Sequence, residues 1–281
     1  MTRLQPDDIC HITPNLAEYS RELEKKTGRS LLGIACHACN MDEGKARDRL
    51  QEKQICVVPV TAGLGIISRF SDTVAAILTF IGCRAKVADR PDVSGVAQAV
   101  VSGYDALMMA DDHRFVAIDL DTRRVVDNSD ATGRGFAGAL DMMAGGIRGR
   151  EVLVLGCGQV GAAGARFLAS QGARLALLDT DRQAAVQVQH AVAAQDRTAD
   201  ITIEKALEKA LSRCCFILEA TPWADTIPGA WVSRNTRVAA PGVPLGVSSD
   251  TAALLGPHLV HDTLEIGVAV MAVSLVNGPI G

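Results

Sequence analysis

Apolar positions change their period along the chain, and each change marks a candidate boundary. Over roughly the first fifty residues they recur at helical spacing: Leu16, Tyr19 and Leu23 share one face, Thr13 and Pro14 supply a start, and Lys25, Lys26 and Gly28 supply an end. A second short helix is predicted after Ser30. From Asp42 to Lys53 the apolar period is lost and both charge signs mix, which suits a solvated helix or a connection.

Between Ile55 and Asp112 the texture becomes strand, loop, helix, strand. ICVVPV leads into TAGLGII, an apolar helix runs from Ser71 to Gly82, AKVAD is strand-like, a helix follows Ser94, and ALMMA closes the series. FVAIDL and RRVV form a strand pair around a turn at Asp121 and Thr122, and the polar DNSDATGRG (Asp127–Gly135) leads into a helix ending at Gly145 and Gly146. The alternation restarts at Arg150 with EVLVLG, ARLALLD, CCFILEA, TRVAA and HLVHD. The pattern predicts an α/β protein of two domains sharing a cleft. A helical segment and a small α/β substrate domain would span residues 1–146, and a doubly wound parallel sheet of Rossmann type would span residues 147–281.

The 281 residues suffice for two cores, and 48% hydrophobic residues with 26 glycines and few aromatics fit aliphatic α/β packing. A formal charge of −4 provides no basic stripe for nucleic acid and no polybasic face for lipid. No apolar run reaches a membrane span, and Asp7, Asp8 and His11 break any leader pattern, so a cytoplasmic location is expected. The eight cysteines follow no framework and read as reduced thiols. CHAC (Cys36–Cys39) has metal-like spacing, but no second ligand pair accompanies it, so no metal is expected. The apolar carboxy-terminal helix VAVMAVSLV (Val268–Val276) suggests either a homodimer contact or burial within its own domain.

The strongest motif is GCGQVG, directly after the strand EVLVL and before a helix running to Ser170. Gly156 would permit the tight turn, Gly158 would let backbone N–H groups approach a pyrophosphate, and Gly161 would let helix pack on strand. Gln159 and Val160 open the helix whose positive end attracts the anion. Asp179, 18 residues beyond Gly161, ends the next strand and would accept from ribose hydroxyls, favouring NAD over NADP. Arg182 could stack on adenine or touch a phosphate. Thr221, Pro222, Pro241 and Gly242 follow two further strands, where loops line the ligand crevice or serve as ordinary punctuation.

In the first α/β stretch, Asp111 and Asp112 end the strand ALMMA and either form a turn or hold an ammonium group. The loop Thr61, Ala62, Gly63 could offer amides to a carboxylate, or could be a plain glycine turn.

Taken with VVPVTAGLGII (Val57–Ile67), PDVSG (Pro91–Gly95), MADD (Met109–Asp112), LLDTDR and EATPWADTIP (Glu219–Pro228), the chain resembles the pyrrolysine synthase family, NAD-dependent dehydrogenases that complete pyrrolysine biosynthesis. The matched stretches are spread from Leu4 to Met271; the charged segment near residues 42–53 and the terminal NGPIG depart from the family pattern. The resemblance implies a small-molecule substrate, lysine joined through its side-chain nitrogen to 3-methyl-D-ornithine, whose terminal amine is oxidised with loss of ammonia and ring closure. It also implies substrate roles for Leu4, the Thr61 loop and Asp111, and a catalytic role for Asp111 as base or as the anion that positions the amine. Two other readings compete. One is a conventional NAD-dependent amino acid dehydrogenase, which would need a lysine in the substrate domain, where only Lys86 lies between Ile55 and Gly145, in a run that reads as buried. The other is a non-catalytic NAD-binding sensor.

Overall fold

The loss of helical period near residue 54 is where the first sheet begins. In the computed structural model, which describes residues 4–277, α1 (Pro6–Ile9), α2 (Ile12–Thr27), α3 (Leu31–Ala38) and α4 (Glu43–Glu52) precede it. Ser30 caps α3 by accepting the Gly33 N–H at 3.2 Å. The charged stretch is helical because Asp42 accepts the Lys45 N–H at 2.9 Å and because Ala46 and Leu50, four residues apart, give it one buried face. α2 begins at Ile12, one residue ahead of the expected cap.

β1 (Gln54–Val57), α5 (Phe70–Phe80), β2 (Arg84–Val87), α6 (Asp92–Val101), β3 (Ala106–Ala110), β4 (Phe115–Asp119) and β5 (Val125–Asp127) follow, with the sheet ordered β2-β1-β3-β4-β5. β1 pairs in parallel with β2 and β3, while β3–β4 and β4–β5 are antiparallel. Because Val57 lies opposite Met108, the loop after β1 and the acids after β3 leave the same end of the sheet. Lys86, expected to be buried, is exposed: β2 is an edge strand with alternate residues facing water.

The segment Asp127–Gly135, expected as a loop, is mostly helix. α7 runs from Asn128 to Met143, and Asp127 caps it by accepting the Ser129 N–H at 2.9 Å. Its glycines serve packing, since a Cβ on Gly133 would stand 2.8 Å from the Cβ of Ala163.

The second sheet contains β6 (Glu151–Leu155), β7 (Arg174–Leu178), β8 (Ile201–Ile203), β9 (Phe216–Glu219), β10 (Arg237–Ala240) and β11 (Leu259–His261). Helices α8 (Gln159–Ser170), α9 (Arg182–Gln195), α10 (Leu207–Leu211) and α11 (Ser249–Leu255) alternate with these strands. All pairings are parallel, in the order β11-β10-β9-β6-β7-β8. This is the doubly wound order whose direction reverses between its first and fourth strands, here β6 and β9. Leu153, Leu155, Ile217 and Val238 form part of its aliphatic core.

The chain then returns. α12 (Glu265–Val276) is buried at every residue and packs on α3, α4, α5, β4 and β5. Within the described residues one unit contains 4–21, 30–131 and 263–277, and the other contains 22–29 and 132–262. This division differs from the expected cut after residue 146 in grouping α12 with the first sheet. A helix apolar around its whole circumference must be enclosed, and burying each of its Val, Ile or Leu side chains stabilises by about 1.5–3 kcal/mol. That enclosure accounts for the apolar surface behind the homodimer expectation. The last four residues of the sequence, 278–281, which hold most of the divergent NGPIG end, lie outside the described residues. Among the described residues no helix is long and apolar enough to cross a membrane.

Candidate functional site

In the second unit the glycine loop occupies the carboxyl end of β6. Gly156 has φ of +83°, and a Cβ there would stand 2.7 Å from the carbonyl oxygen of Ala220, so both the turn and the neighbouring loop require glycine. A Cβ on Gly161 would overlap the carbonyl oxygen of Gly156. Gly158 is different. Its φ is −70° and nothing lies within 4 Å of where a Cβ would sit, so no contact of the protein demands glycine there. That open space, beside a helix start with no side-chain cap, fits a ligand that approaches the backbone closely. Gln159 is exposed and Val160 half-buried in the first turn of α8.

Asp179 directly follows β7. One carboxylate oxygen accepts the Cys157 N–H at 2.6 Å and the other the Asp181 N–H at 2.8 Å. The second of these oxygens also accepts the Thr180 hydroxyl at 3.4 Å, while the one facing Cys157 retains capacity for another donor, so the residue is oriented toward the glycine loop without being saturated. Burial, followed by the Asp179 charge, pushes the Cys157 thiol up to about 12, which keeps it protonated. Arg182 is exposed at the first position of α9, and Asp181 caps that helix through the Gln183 N–H at 2.9 Å.

Thr221 and Gly242 come together, a Cβ on Gly242 running into the Thr221 carbonyl oxygen, and Pro222 and Pro241 flank them in the chain. Sequence reasoning gave no role to Glu219, the buried last residue of β9. Its Oε1 accepts the Thr221 N–H at 3.0 Å, the Thr221 hydroxyl, and the Thr226 hydroxyl at 3.1 Å. The signal was an acid closing an apolar strand with threonines two and seven residues on.

In the first unit the loop after β1 is fastened by two carboxylates. Asp92 accepts the Thr61 N–H at 2.8 Å and the Thr61 hydroxyl, and Asp112 accepts the Leu64 N–H at 2.7 Å. Gly63 has φ of +67°, and a Cβ on it would run into the Asp112 carboxylate. Thr61 therefore directs its hydroxyl proton at Asp92, which leaves the amides of Ala62 and Gly63 as the loop's donors for a ligand. The Thr61 hydroxyl and then its amide hold Asp92 below the usual carboxylate range. Asp92, inside the motif PDVSG, is a second residue that sequence reasoning left without a role.

Asp111 is exposed, and its Oδ1 accepts the N–H groups of His113 and Arg114, each at 2.8 Å. It thus shapes the β3–β4 turn, and the amides of Arg114 and then His113 hold it below the usual carboxylate range. Such a group remains an anion at neutral pH and accepts protons poorly. It is suited to gripping an ammonium. Leu4 is half-buried ahead of α1, which packs on α5 in the same unit.

CHAC lies on α3 and its C-terminal cap. Cys36 and Cys39 are buried, burial and then Glu43 push Cys36 up to about 12, and Cys39 Sγ sits 3.3 Å from Ser274 Oγ of α12. The pair belongs to helix packing. The eight cysteines are free thiols.

Residues 8–126 match the family model for the N-terminal domain of pyrrolysine biosynthesis protein PylD, and residues 125–228 match that for the C-terminal domain of alanine dehydrogenase/PNT. Over 275 residues the chain is 30% identical to pyrrolysine synthase of Methanosarcina acetivorans, covering 98% of this chain and 100% of that one. It is 32% identical to pyrrolysine synthase of Methanosarcina barkeri, covering 98% of each. Among solved structures it is similar to quinate dehydrogenase from Corynebacterium glutamicum in complex with NAD, with TM-score 0.56, 17% identity, and 81% and 94% of the two chains covered. It is also similar to shikimate dehydrogenase from Aquifex aeolicus, with TM-score 0.54, 13% identity, and 81% and 93% covered.

Proposed function

The chain belongs to the pyrrolysine synthase family, and from that premise we propose that this oxidoreductase acts on the terminal amine of lysine acylated at its side-chain nitrogen by 3-methyl-D-ornithine, with NAD as oxidant. The observation that carries the reading is Asp179, an acid bonded to the glycine loop where the adenine ribose of a dinucleotide would lie. Its carboxylate accepts from a 2′-hydroxyl and repels a 2′-phosphate, which favours NAD. The amides of Gly158, Gln159 and Val160 and the start of α8 would hold the pyrophosphate, with Gly156 and Gly161 keeping the loop in shape. Arg182 would border the adenine, and Thr221, Pro222, Pro241 and Gly242 would wall the nicotinamide side.

When bound, NAD supplies a two-electron oxidant that takes hydride from the carbon bearing the amine. Asp111, kept ionised by its turn amides, pairs with the substrate ammonium and places that carbon; a neutral amine is needed for oxidation, so the ammonium gives its proton to water before the hydride leaves. Asp112 and Asp92 act through the loop they fasten, so that the Ala62 and Gly63 amides can meet a substrate carboxylate. Leu4 supplies apolar contact. Water adds to the resulting imine and ammonia departs, leaving an aldehyde. The substrate's own α-amine then attacks that aldehyde and loses water, an intramolecular closure of a five-membered ring that needs little assistance.

Incubated with this substrate and NAD, the purified protein should form NADH and ammonia in equal amounts together with a product carrying a pyrroline ring. NADH formation from lysine, ornithine or leucine without a ring-closed product would replace the reading with an ordinary amino acid dehydrogenase. NAD binding with no turnover of any amine would replace it with a sensor.

A further inference from the structure

The loop after β9 is fastened in a way that pyrophosphate binding does not require. Glu219 is 0% exposed, and its Oε1 collects the Thr221 amide, the Thr221 hydroxyl and the Thr226 hydroxyl. Thr226 Oγ1 lies 3.1 Å from the Gly246 carbonyl oxygen as well, so its one proton serves either acceptor and keeps the loop after β10 within reach. Oε2 has no hydrogen-bond partner among the described residues and lies against Gly242 and Gly246, where a Cβ on Gly242 would stand 3.1 Å away and one on Gly246 would overlap it. One buried carboxyl therefore pins both ends of the segment Thr221–Thr226 and gathers two strand-end loops around itself.

At the tip of this pinned segment stands Trp223, 67% exposed. The next residue but one, Asp225, has φ of +56°, so the tip is sharply turned as well as anchored. A large aromatic side chain mostly in water on an anchored loop presents its ring face to whatever occupies the space beside it. β9 and β10 belong to the second half of the doubly wound sheet, and loops at the carboxyl ends of its strands border the ligand crevice.

We propose that Trp223 forms an aromatic wall at the nicotinamide end of the dinucleotide site and that Glu219 is the positioning residue that holds this wall in place. The inference rests on the cofactor reading above. An indole face attracts a cation, and the nicotinamide ring is cationic only when oxidised, so the wall favours NAD over NADH. Burial pushes the Glu219 carboxyl above its usual range although Thr221 and Thr226 donate to it. Glutamine, which offers the same acceptor without a charge, should therefore replace it.

Trp223 and Trp231 are the two tryptophans of the chain, so Trp231→Phe leaves Trp223 as the sole reporter. In that background, NAD should quench the indole emission saturably, with a midpoint matching the calorimetric Kd. Trp223→Ala should weaken NAD about tenfold and NADH less. Glu219→Ala should lower the quench at saturating NAD and Glu219→Gln should restore it. If Glu219→Ala does not fold, Thr226→Val, which removes one anchor, should lower the quench in part. Unchanged emission while calorimetry records NAD binding would overturn the inference and leave the cofactor reading standing. An absence of calorimetric NAD binding by the wild-type protein would overturn both.

Discussion

The two glycine loops of this chain, Thr61–Gly65 and Gly156–Gly161, follow parallel strands and read alike, yet they are built on opposite electrostatics. In the second, two glycines satisfy close contacts of the backbone and the third stands in open space at the positive end of α8. No protein atom lies within 4 Å of where a Cβ on Gly158 would sit, and Asp179 accepts the neighbouring Cys157 amide. In the first, two amides and a hydroxyl are already taken by Asp92 and Asp112. That loop is surrounded by carboxylates, with Asp111 beyond them on the turn. How much of a glycine loop is open to an anion is therefore decided by what the protein's own acids do with its amides: in the first loop they leave those of Ala62 and Gly63, and in the second they leave the open backbone at Gly158.

The comparison can be broken most sharply at Asp111. Asp111→Asn preserves the turn but removes the anion, so kcat/KM for the amine should fall about 100-fold while the NAD Kd is unchanged. Initial-rate kinetics with calorimetry would check this, and a near-wild-type rate would return Asp111 to a turn role alone. At Gly158 the expected effect is next in size. Gly158→Ala should leave the melting temperature unchanged, since its Cβ meets no protein atom, yet weaken NAD roughly 30-fold by filling the approach to the backbone. Retained affinity would mean that the space is not the cofactor's. Asp179→Ser should narrow the preference for NAD over NADP roughly tenfold, read from the two dissociation constants.

A second contrast concerns buried acids at strand ends. Asp119 closes β4 at 2% exposure, and burial alone would raise it. The Lys53 ammonium at 2.8 Å, with the Thr122 amide and hydroxyl, outweighs burial and holds it below the usual range. Glu219 closes β9 with neutral donors only and moves the other way. A depressed folded-state value contributes stability that is present above the unfolded value near 4 and is lost as pH falls through the folded value. Asp119→Asn should therefore destabilise by about 1 kcal/mol at pH 7, and its gap from wild type should close as the pH falls below the unfolded value and through the folded one. Urea unfolding at a series of pH values would measure it, and a gap independent of pH would assign the cost to packing.

The dinucleotide half was legible because its signals are local: strand, glycine loop, helix and acid follow one another within some thirty residues. β8 was missed because Ile201–Ile203 is a short run with a threonine at its centre, set between Asp200 and Glu204, without the apolar pair that marks the equally short β5 and β11. The start of α7 was missed because Gly133 and Gly135 look like loop glycines until the contact with Ala163 is seen. The membership of α12 could not be read, since an apolar helix names no partner. Asp92 and Lys53 share one cause: each is explained by a residue that long-range geometry brings to it, which neither period nor spacing reports. Glu219 differs, since the spacing of Thr221 and Thr226 was there to read but its burial was not.

The account stands most directly on the fate of the terminal amine. With the substrate labelled with heavy nitrogen at that amine alone, a single turnover with NAD should place all of the label in free ammonia and none in the ring-closed product, because the ring nitrogen is the α-amine. Label retained in the product ring, or NADH formed without labelled ammonia, would contradict it.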